Sequence, residues 1–178
     1  MKHGAADVVR FWWAAQADWF SHDPVFDERF RERFLDLHQS ATDGQLDHWA
    51  ATPEGSLALL ILLDQFPRNA FRGTARMYTT DMLARRFARM AQSVGHMDAV
   101  DGPLRLFFCL PFAHSEDLDD QDLSVALHAR LGKQFLGDAE RHRNIIHRFS
   151  RFPHRNAILG RPSTDEEQAF LDQGGFSG

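Results

Sequence analysis

Two arginine-bearing phrases and one histidine turn contain the residue types best suited to chemistry in this chain. The first phrase is Leu63-Asp64-Gln65-Phe66-Pro67-Arg68-Asn69-Ala70, followed by Arg72 and Gly73. It returns as Phe149-Ser150-Arg151-Phe152-Pro153-His154-Arg155-Asn156-Ala157, followed by Gly160. The offset is 86 positions at the proline and 87 at the second arginine, because His154 is an extra residue. A guanidinium offers a planar fork of donors that matches carboxylate or phosphate. Arg68, Arg72, Arg151 and Arg155 are therefore candidate anion ligands, with Asn69 and Asn156 to orient them and His154 beside them. The third phrase is Leu110-Pro111-Phe112-Ala113-His114-Ser115-Glu116-Asp117. An imidazole titrates near neutrality, so His114 suits general acid or base work, with Glu116 as the carboxylate that orients it.

Each phrase also has a purely structural reading. Phenylalanine anchors a helix end, proline stops the helix and asparagine turns the chain. Ser115, Glu116 and Asp117 have the chemistry of a helix start. The arginine in both loops, and loops of more than ten residues at 67–79 and 153–163, exceed what a stop signal requires.

The elements that must position these residues read as helices. Ala and Leu together number 40 and Val and Ile only 10, a balance that favours helix over strand. Helical stripes run through Val8, Trp12, Ala15 and Trp19, and through Phe26, Phe30, Phe34, Leu37 and Ala41. Leu83, Phe87, Met90 and Val94 form another, as do Leu123, Leu127 and Leu131, and then His142, Ile145, Phe149 and Phe152. Caps are expected at Thr52-Pro53, Thr80-Asp81, Ser115 and Ser163-Thr164, with Gly95 closing a helix. The apolar run 57–63 reads as a helix buried on most sides. The expectation is an all-α chain of about seven or eight helices. The duplicated helix–loop–helix phrase predicts pseudo-duplicated antiparallel helix pairs in one domain over residues 1–178, with a frayed tail at 173–178.

Composition narrows the function classes. The 178 residues carry 20 Lys+Arg against 25 Asp+Glu, and this net charge of −5 argues against nucleic-acid and anionic-membrane binding. Apolar runs fall far short of a membrane span, and the first residues lack a signal-peptide core, so a soluble, cytoplasmic protein is expected. The single cysteine, Cys109, lies in an apolar stretch and reads as a buried core residue. Ten histidines invite a metal, yet no His-Glu-x-x-His or Glu-x-x-His pattern occurs, and no metal or other cofactor is expected. Nucleophile elbows and phosphate-cradling glycine loops are absent too.

Taken together, Phe11-Trp12 with Trp19-Phe20, the run 59–69, the run 110–117 and the run 151–161 resemble the bacterial "domain of unknown function 924" family. The resemblance implies an all-α fold like the right-handed tetratricopeptide-repeat superhelix. It implies no established activity and no catalytic residues.

From the residues themselves, two functions are expected. The first is binding of an acidic peptide segment or small anionic ligand at a pocket flanked by the two Arg-Asn loops and the His114 turn. The alternative is an enzyme acting on a small anionic metabolite, with His114 as acid or base and Glu116 orienting it.

Overall fold

A computed structural model describes residues 3–176. Among them are α-helices and 3-10 turns and no strand. None of these helices is long and apolar enough to cross a membrane. The chain divides into two compact units, Met1–Arg72 with Arg76–Pro111, and Gly73–Ala75 with Phe112–Gly178.

The first unit is built on α1 (Ala5–Ala14), α2 (Pro24–Thr42) and α3 (Pro53–Leu60), with α3 packed against α1. Asp23 accepts from the Val25 N–H and Pro24 stands at the first helical position, so α2 starts where its sequence dictates. Phe26, Phe30 and Phe34 are fully buried and meet Phe11 and Trp12 ring against ring. His38, rather than Leu37, continues that buried stripe.

After α3 the chain makes a single π-turn over Ile61–Gln65 and stays helical through α4 (Phe66–Ala70). The expected helix stop at Phe66-Pro67 is thus not a stop. Proline lacks an N–H and crowds the carbonyl four residues back, which here belongs to Leu63. The π-turn widens the helix at this point, and side chains donate to three of its carbonyls. His38 Nδ1 donates to Leu62 O at 2.9 Å, the Thr80 hydroxyl to Leu63 O at 2.6 Å and Arg68 Nη1 to Asp64 O at 2.6 Å.

The next helix, α5 (Asp81–Ser93), begins after Thr80 as expected, although the Thr80 side chain is engaged at Leu63 and makes no cap bond. Gly95 follows its end in the left-handed conformation, φ 74°. Its buried face is Ala84, Phe87, Ala88 and Ala91, while Met90 and Val94 are 46% and 63% exposed. The small alanines let α5 approach α3, whereas Met90 and Val94 of the expected stripe turn outward and Phe87 stays buried. Cys109 is a fully buried thiol whose sulfur lies 3.8 Å from Arg105 O.

The second unit begins in α6 (Leu110–Ala113) and centres on the hairpin α7 (Leu118–Leu131) and α8 (Lys133–Phe149), which turns at Gly132. The expected Ser115 cap lies two residues early. Asp117 is the cap, accepting from the N–H groups of Asp119 and Asp120, and Ser115 instead donates its hydroxyl to Asp120 at 2.7 Å. Asp120, Gln121, Ser124 and His128 are buried with Leu127, while Leu123 and Leu131 are only half-buried. The inward face of α7 is therefore largely polar. Helix α8 ends at Ser150 with φ 58°, so the second Phe-Pro phrase does follow a helix stop. Pro153–Arg155 form a 3-10 turn, and α9 (Asp165–Asp172) starts from a capping box of Thr164 and Glu167. Ile145, Ile146 and Phe152 make this unit's apolar cluster, against which Phe149, Phe170 and Phe176 pack. Of the expected frayed tail, Gly174 and Gly175 donate N–H groups to Leu171 O and Phe170 O, and residues 177–178 lie outside the described residues.

Candidate functional site

In the first unit, the Arg-Asn phrase meets three aspartates. Arg68 places Nη1 and Nη2 on the two oxygens of Asp81, at 2.9 and 3.1 Å, and also lies 3.2 Å from Asp64. Burial opposes its charge, yet Asp64 and Asp81 outweigh that and hold the guanidinium more firmly protonated than usual. Arg72 forks onto Asp27, Nε to Oδ2 at 2.7 Å and Nη2 to Oδ1 at 3.0 Å. Asn69 donates to the same carboxylate at 2.8 Å. The carboxylates these side chains hold belong to the protein itself, and together they fasten α2, α4 and the start of α5.

In the second unit, the His114 turn and the second Arg-Asn phrase come together. Arg161 forks onto Glu116, Nη1 to Oε2 at 2.7 Å and Nη2 to Oε1 at 2.9 Å. Glu116 Oε1 also accepts from the Phe152 N–H at 2.8 Å. Burial acts to raise this carboxyl, but the bonds from Arg161 and Phe152 and the charges of Arg161 and Arg155 overcome it and hold the group below its ordinary value. Arg155 donates from Nη2 to His114 O at 3.0 Å, and its guanidinium lies 4.5 Å over the Phe152 ring. Asn156 accepts from Arg161 Nε at 3.0 Å, so it does orient an arginine, though one outside the expected set. Arg151 forks onto Glu167, which also accepts from Asn156 and from the Thr164 N–H. The Arg151 hydrogen bond is the chief cause that holds Glu167 down to about 2.

Around Arg155 lies a set of imidazoles that the three phrases only partly announce. His142, on α8, packs edge-on against Phe152 at 5.6 Å and Phe176 at 4.7 Å. His154 lies 5.1 Å from the same Phe176 ring and 5.6 Å from Phe152. Burial, then the charges of His114, His128, Arg155 and His154, push His142 down to about 3. Burial and Arg155, against a smaller opposing effect of Glu116, push His154 down to about 4. His128 is lowered as well, first by burial, and its Nδ1 lies 2.8 Å from Ser124 O, which fixes the proton on that nitrogen. At neutral pH these three rings are uncharged. The Nδ1 atoms of His142 and His154 are buried and make no hydrogen bond among the described residues.

Gln121 completes the set. It is fully buried, and Nε2 donates to Ala113 O at 2.8 Å, Ser115 O at 2.7 Å and Phe112 O at 3.3 Å. Its Oε1 is buried and accepts nothing from the described residues. Gln121 and Arg155 thus grip three successive carbonyls of the turn at Ala113, His114 and Ser115. Gln121, Ser124 and His128 were missing from the residues read off the sequence. A polar i, i+3, i+7 stripe on a helix reads as a solvent face, so nothing local marks it as interior. Among the described residues, no group of three or more His, Cys, Asp or Glu side chains is arranged to hold a metal ion.

Comparison with curated proteins returns no match. A solved structure titled "Structure of Protein of Unknown Function ATU0120 from Agrobacterium tumefaciens" is similar over 96% of this chain and 97% of that one, with 53% identity and a TM-score of 0.93. A family model described as "Bacterial protein of unknown function (DUF924)" matches residues 8–175. The three phrases and the helices that carry them fall inside that match, and the chain belongs to the DUF924 family.

Proposed function

We propose that this all-helical protein binds a small anionic ligand in its second unit, at Arg155 with His114, His142 and His154. The observation that carries this reading is the pair of buried Nδ1 atoms on His142 and His154 that lack hydrogen-bond partners among the described residues. Buried polar groups are normally satisfied, and each exception calls for a reason. An anion supplies one. It accepts a hydrogen bond from each neutral ring, and its charge offsets that of Arg155, which together with burial keeps both imidazoles unprotonated. Enclosed nitrogens favour a small ligand over an acidic peptide, which needs an open groove. Arg161, Arg151, Asn156 and Glu116 serve as the frame, because their polar groups tie the loop to the His114 turn and to α9. Arg68, Asn69 and Arg72 have the same framing role in the first unit. The tetratricopeptide-like stacking of helix pairs and a cytoplasmic location belong to the same proposal, and the α7–α8 hairpin is the kind of unit from which such stacks are made.

Thermal-shift titration with inorganic phosphate, sulfate and small carboxylates tests the reading. At least one of these anions is expected to raise the melting temperature of the wild type in the millimolar range. A His154→Phe variant that keeps its helical circular dichroism is expected to lose most of that rise. Absence of any response, or an undiminished response in the variant, overturns the proposal.

A further inference from the structure

We propose that the ligand of this site is an oxyanion that also carries a hydroxyl proton, and that Gln121 Oε1 is the atom that reads that proton. The inference rests on the anion-binding reading above and adds the class of anion. Its basis is the orientation of one amide. Two carbonyls within 2.8 Å of a single atom of Gln121, and a third at 3.3 Å, require that atom to be the donating nitrogen. The other atom is therefore the oxygen, an acceptor only, in a residue with no exposed surface and with no donor on it among the described residues. Leaving such a group unmet is costly, so a ligand that supplies a donor there gains selectively.

The surroundings define what kind of donor fits. Gln121 holds the carbonyls on either side of His114, and Arg155 holds the one between them. Asp122 and Arg143, the chain neighbours of Gln121 and His142, pair across the α7–α8 hairpin, so Gln121 and His142 lie within about one turn of each other along it. A cationic donor such as an ammonium would meet Arg155 and the imidazoles of His142 and His154. A neutral hydroxyl attached to an anion meets both demands, its charge toward Arg155 and the rings and its proton toward Oε1. Phosphate keeps at least one hydroxyl at neutral pH and sulfate keeps none. Glycolate and acetate form the corresponding pair among carboxylates.

Isothermal titration of the full chain at pH 7 and matched ionic strength compares phosphate with sulfate and glycolate with acetate. The hydroxyl-bearing member of each pair is expected to bind at least tenfold tighter, since a site built around a hydroxyl discriminates strongly against an analogue without it. In Gln121→Met the ratio is expected to fall below twofold; if that variant fails to fold, the wild-type ratios alone decide. Equal affinity for both members of each pair overturns the role of Gln121 and leaves the anion site standing. No binding of any of the four overturns both readings.

Discussion

Arg161 and Glu116 stand 45 positions apart and meet through two parallel hydrogen bonds of 2.7 and 2.9 Å, joining the second Arg-Asn loop to the His114 turn. The same carboxylate caps the N–H of Phe152, so one acidic side chain fixes both the loop's backbone and its arginine. Each partner is about one-quarter exposed, 25% for Arg161 and 27% for Glu116, which places the pair between a surface and a buried ion pair.

Glu116→Gln is expected to lower unfolding free energy by about 1–2 kcal/mol, because the fork becomes a neutral bond. Since the folded carboxyl lies below its ordinary 4.5, the wild type holds this stabilisation above that pH and loses it as pH falls through the folded value. Urea melts at pH 7 and pH 3 are expected to show a clear difference between the proteins at the higher pH and a smaller one at the lower.

The imidazoles give a second acid sensitivity at milder pH. His142 and His154 take up protons near 6.5 when unfolded but only at about 3 and about 4 when folded. Below 6.5 the unfolded state therefore binds more protons, and stability falls as pH drops until the folded values are reached. His142→Phe, which keeps a ring between Phe152 and Phe176, is expected to reduce the stability lost between pH 7 and pH 5 by up to about 2 kcal/mol. Equal losses in variant and wild type would show that His142 titrates normally in the folded protein.

Removing Arg68 strands two carboxylates, of which Asp64 has a side chain only 2% exposed. Arg68→Met is expected to cost about 3–5 kcal/mol, the usual penalty for a buried pair deprived of one partner. The combination Arg68→Met with Asp64→Asn is expected to recover part of it, measured by a double-mutant cycle in urea.

Gly55 is required by close approach rather than by backbone conformation. A Cβ there would lie 2.1 Å from Trp49 O and 2.8 Å from its carbonyl carbon. Backbone on the other side leaves no flexible atom to move aside, so Gly55→Ala is expected to cost more than about 2 kcal/mol and to lower the melting temperature by several degrees.

The all-helical character and the α1 and α2 stripes were legible because large aromatics at helical spacing leave one inward face. His142 was legible for the same reason, set at a helical distance from Ile145. The stripe of α5 was not: alanines are bland in a hydropathy pattern, and only the proximity of α3 selects them over Met90 and Val94. Equally hidden was the polar interior of α7, whose leucines suggested the wrong face. The repeated Phe-Pro phrase was legible as sequence, yet its two copies differ in structure. Pro67 lies within a helix, whereas Pro153 opens a turn after one, and the discriminating residues are Thr80 and His38, distant in the chain. Four arginines of the two phrases are read from the sequence as anion ligands, but three of them, Arg68, Arg72 and Arg151, grip carboxylates of the protein itself.

The π-turn after α3 gives up regular backbone pairing, and the carbonyls it frees are taken by side chains from α2, from the residue that opens α5 and from α4. A local fault in one helix thereby becomes a crosslink to α2 and to the start of α5. Unwinding at Ile61–Gln65 cannot remain local, because each broken bond releases a different helix. The segment with the weakest helical bonding of its own is thus tied to the cooperativity of the whole first unit, and its amides should exchange with solvent together with those of α2 and α5 rather than ahead of them.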